Sequence, residues 1–465
     1  MNYLKAHKYP ILFIVSSLLF YAAFAYDLER TDTAKLISLY TTLFFLYYKI
    51  LQFEKGNLKL LLCFGILSRL VFIVALPNLS QDFYRFLWDG QLINNGINPY
   101  LYTPEELISS RTFLFPTAQQ LYDGMGSLSA SHYSNYPPIS QLFYYLSSYF
   151  GQHHILGSVV FLRCCIILAD LGTLFLAQKI LTHFGQEKYK AYWYFLNPFI
   201  CIELTGNLHF EGIMLFLFCL ALYLLMKRKW IGSAVAISLS IATKLIPLML
   251  LPVLFRWLAI DSISEHTAIQ AKNKTTTRHW NFLKSLGFYC LSITAAVATF
   301  LPFLSFELLQ KYLQTVGLWF TNFEFNASFY YVIREIGFIY KGYNIIELAG
   351  LKMAVVVVVF ILLISLLRKN EKPHIAMSTL LFAMTFYLAF TTTVHSWYVA
   401  TPLLLCVFTN YKFPVVWSFI VVLSYVAYAH PNFEENPWVI ALEYLILYGC
   451  FVKEVYLKQP ILRHL

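Results

Sequence analysis

The chain has 465 residues, 59% of them hydrophobic and 18% aromatic, with only 12% charged. A soluble domain carries charge at about a quarter of its positions, so the composition excludes a soluble globular protein. The surplus of 34 Lys+Arg over 24 Asp+Glu sits in short polar stretches between apolar runs, which argues for loops beside a membrane and gives no reason to expect a nucleic-acid partner.

Apolar runs close to the roughly 20 residues of a bilayer span recur along the whole chain. They fall near 11–26, 35–52, 58–77, 155–181, 190–205, 209–226, 231–243, 246–258, 281–303, 349–367, 375–393, 396–410, 413–430 and 438–456. The expected fold is an all-α, polytopic integral membrane protein of roughly 12–14 transmembrane helices, with residues 1–465 forming one membrane domain surrounded by lipid. The first span follows Lys5 and Lys8 and ends at Ala23-Phe24-Ala25. That pattern also mimics a signal peptide, and an uncleaved first span is the reading taken. With the N-terminus inside, Lys227-Arg228-Lys229, Arg368-Lys369 and the basic stretch 272–284 become cytoplasmic, as the positive-inside rule requires. Residues 231–258 read either as one helix kinked at Pro247 or as two half-length helices meeting at Lys244. The second reading preserves the loop parity, and broken helices are tolerated where they line a site. The polar segment 261–279 is expected to be a mobile cytoplasmic loop.

Two long outer loops follow from this arrangement, 77–154 and 304–347. Within the first, the apolar stretch 139–150 is too short to span and is expected along the interface as an amphipathic helix. The eight cysteines, Cys63, Cys164, Cys165, Cys201, Cys219, Cys290, Cys406 and Cys450, lie almost wholly in apolar runs with no C-x-x-C. They read as small core residues, neither disulfides nor metal ligands.

Charge is scarce, so its placement is informative. Directly after a span, Asp82, Arg85 and Asp89 fall at i, i+3 and i+7, and in a helix they share one face. The rest of the outer-facing polar set comprises Glu203, Asn207, His209, Glu211, Lys244, Asn322, Glu324, Asn326, Arg334, His395, Trp397 and Tyr398. No Gly-rich phosphate cradle, G-x-S-x-G or H-E-x-x-H occurs. Carboxylates, cations and aromatics together suit a sugar joined to a lipid.

The stretch Y-R-F-L-W-D-G followed by G-I-N-P-Y, then Y-P-P-I (136–139), T-G-N-L-H-F-E-G (205–212), T-K-L-I-P (243–247), F-N-A-S-F-Y-Y (325–331) and H-S-W-Y (395–398) resembles the GT-C superfamily of membrane glycosyltransferases. The closest likeness is to bacterial polyprenyl-phosphate-mannose-dependent mannosyltransferases, and a looser one is to the catalytic subunit of the eukaryotic glycosylphosphatidylinositol mannosyltransferase. The resemblance implies inverting transfer of a hexose, mannose in the first instance, from a polyprenyl-phosphate sugar to a glycan, lipid or protein acceptor. It implies no cofactor, no metal, and an active site on the periplasmic face of a bacterial inner membrane. Carried onto this sequence, the general base is Asp82. Lys244, Arg334, Arg85 and His395 would hold the donor phosphate. Asp89, Glu203, His209, Glu211, Asn326, Trp397 and Tyr398 would contact substrate. Where many members have paired acids, this chain has Gln81-Asp82-Phe83-Tyr84, a single one.

Plainer readings stand beside these. Asp82 and Arg85 could simply pair, Asp89 could bridge a loop helix, and Lys244 could snorkel to the headgroups. His209 could be a hydrogen-bonded core histidine, and His395 with Trp397 and Tyr398 an interfacial aromatic belt. Asn326-Ala327-Ser328 matches a glycosylation sequon, for which chance is the better explanation in a bacterial protein. A different lipid-linked sugar, a transporter or lipid flippase, and a non-catalytic membrane partner are the rival functions.

Overall fold

The computed structural model describes residues 7–110, 115–152, 154–261, 279–429 and 433–461. The expected mobile loop falls almost wholly on 262–278, outside the described residues. At its two ends Ile260–Asp261 pairs antiparallel with His279–Trp280, a two-residue ladder in a chain otherwise built from helices.

Five described helices are each long and apolar enough to cross a membrane: Lys8–Tyr26, Thr33–Glu54, Ile155–His183, Phe282–Phe303 and Ile346–Leu367. Shorter apolar helices, Trp230–Ile241, Ile246–Ala259, Pro373–Ala389, Ser396–Val407 and Phe413–Tyr428, pack among them. The fold is all-α and polytopic, as the apolar runs dictate, but many of the expected spans are interrupted. The run at 190–205 makes no single rod. It forms short turns at Lys188–Ala191 and Tyr192–Phe195, then a wide π-type turn at Ile200–Gly206. That turn meets the Glu211–Met226 helix at 108°. The run at 58–77 leaves the helix after Leu70.

Each break frees backbone groups that lipid cannot satisfy, and buried side chains take them up. Arg163 donates to the carbonyls of Thr205 (2.9 Å), Gly206 (2.8 Å), Ile73 (3.0 Å) and Ala75 (2.6 Å). Asn207 donates to the carbonyl of Ile202 at 3.1 Å and accepts the Leu79 N–H at 3.0 Å. The chain also leaves helical geometry between Ile241 and Ile246, where Lys244 was expected to mark a break. There the Ile139 N–H donates to the Ala242 carbonyl (2.9 Å) and the Ser140 hydroxyl to that of Thr243 (2.7 Å).

Those two donors open the Pro138–Gly151 helix, the element expected to lie along the interface. One face does carry exposed Leu142, Tyr149 and Phe150, but Ser140, Gln141, Tyr144 and Ser147 are buried against the Asp82–Asn94 helix. Gly90 permits that approach, since a Cβ there would sit 2.2 Å from the Tyr144 carbonyl oxygen. A backbone atom cannot step aside. Deeper in the bundle Arg69 and Asp170 form an ion pair at 3.0 Å with both side chains 0% exposed. Arg69 also donates to the Gly65 and Phe195 carbonyls, so its remaining donors are not left bare. The two long loops, 77–154 and 304–347, touch as well. Lys311 donates to the Leu101 carbonyl at 2.9 Å and the Tyr312 hydroxyl to that of Asn135 at 3.2 Å, while Asn98 donates to the Phe303 carbonyl at the edge of the second loop at 2.9 Å.

The Gly90 contact gives a test of the packing. Gly90→Ala, with strong helix propensity but no room, should cost about 1–3 kcal/mol as overpacking does and lower the thermal midpoint of the detergent-solubilised protein. An unchanged midpoint would show that the two helices do not approach as described.

Candidate functional site

The Asp82–Asn94 helix begins at Asp82, and its first turn is fixed from behind. The Leu79 N–H is held by Asn207, and Ser80 Oγ accepts the Asp82 N–H at 3.3 Å. Among the described residues the Asp82 carboxylate itself has neither hydrogen-bond nor ion-pair partner. Burial pushes its pKa up from 3.8 to about 6; the Lys244 and Arg30 charges oppose that shift and Glu211 adds to it. The alternative pairing of Asp82 with Arg85 does not form; Arg85 turns to Asp89.

Lys244, carried by the break after Ile241, is the centre of the charges around Asp82. Its Nζ lies 3.1 Å from Glu211 Oε1, with the lysine 15% and the glutamate 0% exposed. The ammonium also sits 5.7 Å from the Tyr136 ring centroid and within electrostatic range of Asp82, His209 and His395. Lys244 therefore does not snorkel away. It is turned inward onto a buried counter-ion, with N–H donors to spare beyond the one facing Glu211.

A wall of rings completes the site. Trp397 stacks on His209 (centroids 3.7 Å apart, planes 19°) and on His395 (4.4 Å, 6°), and Tyr398 meets His395 edge-on at 5.5 Å. Glu203 lies 3.7 Å from His209 Nε2 and accepts the Tyr425 hydroxyl at 2.8 Å. Burial first, then the nearby Lys244 charge, push His395 down to about 3. It is neutral at any physiological pH, so it offers a ring and hydrogen bonds where a fixed positive charge was expected. The site thus gathers Asp82, Glu203, His209, Glu211, Lys244, His395, Trp397 and Tyr398.

Four expected members are engaged elsewhere. Arg85 pairs with Asp89 at 2.8 Å and donates to the carbonyls of Ser129 (2.7 Å) and His132 (2.9 Å). Asp89 also accepts from Ser134 (2.5 Å) and Gln141 (2.8 Å) and is fully buried. Both residues join the 77–154 loop to its own helices; both Asp89 oxygens are taken up by protein, whereas Arg85 Nη2 is buried with no hydrogen-bond partner among the described residues. Arg334 is committed to Glu324 (2.7 Å) and Glu335 (3.1 Å). Asn326 is buried in a second polar cluster. Its backbone N–H donates to Glu435 at 2.6 Å, its side-chain amide faces Glu443 at 3.3 Å, and its carbonyl accepts from Tyr444 at 2.6 Å. That burial also closes the sequon. The cluster borders the main site through Phe325, whose ring lies 5.2 Å from His395 and whose backbone bonds Thr392 and Val394.

Two participants were not picked out from the sequence. Arg30 donates to the Leu79 carbonyl at 3.1 Å and lies 3.9 Å over the Tyr428 ring, within electrostatic range of Asp82. Its signal was a charged turn, E-R-T-D at 29–32, immediately after the first span. Tyr425, inside an unbroken apolar run, carried no such signal. Among the described residues no three His, Cys, Asp or Glu converge as a metal site.

Residues 44–260 match a family model described as Alpha-(1->6)-mannopyranosyltransferase, N-terminal domain. The chain is 22% identical over 194 residues to "Alpha-(1->6)-mannopyranosyltransferase A" of Mycobacterium tuberculosis, covering 42% of this chain and 36% of that protein. It is 25% identical over 182 residues to the protein of the same name from Corynebacterium glutamicum, covering 39% of this chain and 35% of that one. The matches thus span about a third of the length of each relative. They agree with the resemblance seen in the motifs: within 44–260 the chain is similar to mannosyltransferases. Asp82, Glu203, His209, Glu211 and Lys244 fall inside the family match, whereas His395, Trp397 and Tyr398 lie beyond it.

The raised Asp82 carboxyl has a thermodynamic signature. A proton bound more tightly in the folded chain than in the unfolded one makes the ionised form a cost, absent below the ordinary value of 3.8 and complete above about 6. Asp82→Asn should therefore raise the thermal midpoint at pH 7–8 relative to wild type. The gain should shrink as pH falls through 6 and vanish near 4. A midpoint difference that does not depend on pH would contradict the burial of this charge.

Proposed function

We propose that this chain is an integral membrane glycosyltransferase of the GT-C type, transferring mannose from a polyprenyl-phosphate donor to an acceptor hydroxyl on the extracytoplasmic face, with inversion. One observation carries the reading. An unpartnered carboxylate with its pKa near neutrality, Asp82, faces the same space as a lysine fixed on a buried counter-ion, Lys244 on Glu211.

In this mechanism the acceptor oxygen attacks the anomeric carbon as its proton passes to Asp82. The bond from that carbon to the phosphate oxygen breaks, and polyprenyl phosphate leaves carrying the electron pair. Lys244 faces the departing phosphate, where a positioned cation counts most as charge develops. Glu211 holds that ammonium in place while leaving it donors for the ligand. The Trp397, His209 and His395 rings offer flat faces suited to a sugar ring. The likeness to mannosyltransferases supports the choice of sugar.

An apolar cavity supports a lipid-borne donor. A cavity of about 240 Å³ opens between the 249–252 turn, the Ile346–Leu367 helix and residues 387–392, lined by Met249, Gly350, Val357, Ile361, Tyr387 and Phe390 among others. Its walls are almost wholly apolar, and it adjoins the segment bearing Lys244 on one side and that bearing His395 on the other. An isoprenoid chain lying there would bring its phosphate to the lysine. The donor is a co-substrate, no cofactor is called for, and a bacterial inner membrane with the site on the periplasmic face suits the family likeness. The acceptor is a glycan, lipid or protein.

Transfer of labelled sugar from polyprenyl-phosphate-mannose in vesicles containing native membrane extract tests this directly. Asp82→Asn should lower transfer by about 10²–10⁴-fold and Lys244→Gln by about 10²–10³-fold at matched expression. The wild-type rate should climb with pH to a plateau above about 6, as Asp82 loses its proton. Undiminished transfer by Asp82→Asn would remove it as base. Activity with glucosyl or arabinosyl carriers alone would move the proposal to another lipid-linked sugar.

A further inference from the structure

A second cavity, of about 370 Å³, lies far from Asp82 and is lined by Phe175, Gln178, Lys179, Thr182, His183, Lys188, Tyr223 and Lys227. Its walls come from the last turns of the Ile155–His183 and Glu211–Met226 helices. Glu211 belongs to the catalytic cluster, and at 1.5 Å per residue Lys227 stands about 24 Å farther along the same helix axis. The cavity therefore opens at the opposite end of the bundle, beside Lys227-Arg228-Lys229.

Three ammonium groups and an imidazole converge there, and none of Lys179, Lys188 and Lys227 has a carboxylate partner among the described residues. Two aromatic faces lie beside the ammonium groups: Lys179 Nζ is 4.2 Å from the Phe175 centroid and 5.5 Å from that of Tyr223, and Lys227 Nζ is 5.8 Å from Tyr223. An unneutralised cluster of this kind in a concave site calls for an anion. The surface leading to it is apolar. Cys164, Leu168, Phe175, Lys179 and Thr182 share one exposed stripe of the helix, with Leu168 and Phe175 among its large exposed side chains. Positive groups at the end of a lipid-facing apolar stripe match a molecule with acyl chains below and a phosphate above.

We propose that this cavity binds the phosphate headgroup of an anionic phospholipid, in the leaflet opposite the catalytic cluster. The lysines hold the phosphate and Thr182 and Gln178 supply neutral hydrogen bonds. The acyl chains follow Leu168 and Phe175.

Native mass spectrometry of the full chain released from detergent, titrated with phosphatidylglycerol and with phosphatidylcholine, tests the assignment. Wild type should retain phosphatidylglycerol at least about tenfold better, since each lysine near a bilayer surface contributes a several-fold preference for negative charge. The triple variant Lys179→Gln, Lys188→Gln, Lys227→Gln should lose that preference. A control with Lys352→Gln, Lys453→Gln and Lys458→Gln, all exposed and outside the cavity, should keep it. All these side chains are exposed, so elution volume and thermal midpoint should stay at wild-type values. No preference in wild type, preference surviving in the triple variant, or equal loss in the control would overturn the site. Displacement of the lipid by millimolar inorganic phosphate would overturn the lipid as its occupant in favour of a soluble phosphate compound.

Discussion

The structure depends on one constraint: backbone polar groups inside a membrane need partners within the protein. Two helices are interrupted where the site forms, at 207–210 and at 242–245, and neither interruption could persist without buried donors. Arg163 and Asn207 take up the carbonyls at the first, and the opening residues of the Pro138–Gly151 helix take up those at the second. Once the breaks are satisfied, Glu203, His209 and Glu211 emerge from one and Lys244 from the other. Asn207 also grips the Leu79 N–H, so the same residue that caps the first break sets the position of Asp82.

Charge is arranged on this frame by reciprocal need. Lys244 at this depth requires a counter-ion, and Glu211 in a dry setting requires a cation, so each holds the other. Asp82 is treated differently, with cations in range and no partner in contact. An acid kept in that condition is costly to the fold and useful to a reaction, the usual association of perturbed carboxyls with active sites. The Arg85–Asp89 pair, by contrast, is bound to Ser134, Gln141 and two carbonyls, and serves to hold the loop that delivers Asp82.

Much of this was legible in the sequence. Apolar run length gave the all-α membrane fold, and a charge stranded in such a run gave the break at Lys244. The T-G-N-L-H-F-E-G motif contains both the cap, Asn207, and two of the groups that emerge there, His209 and Glu211. Other features could not be read. Spacing along a helix shows that Arg85 can reach a neighbour but not whether it pairs at i−3 or i+4, and the structure chooses Asp89. The commitments of Arg334 and Asn326 depend on Glu324, Glu435 and Glu443, over a hundred residues away for two of the three. The buried Arg69–Asp170 pair bridges two apolar segments 101 positions apart, and no local pattern announces such a partner. Run length also missed the turns at 188–206, because a buried segment can be apolar without being straight.

The central claim is that donor phosphate rests against Lys244 with its lipid in the groove beside it. A cryo-electron microscopy structure of the chain in nanodiscs with a non-transferable polyprenyl phosphonate-mannose would test it. The account predicts phosphonate density in contact with the Lys244 ammonium, the sugar between Asp82 and Trp397, and the isoprenoid chain along Met249, Val357 and Phe390. Headgroup density at Arg334, or in the lysine-lined cavity at the other end of the bundle, would contradict it.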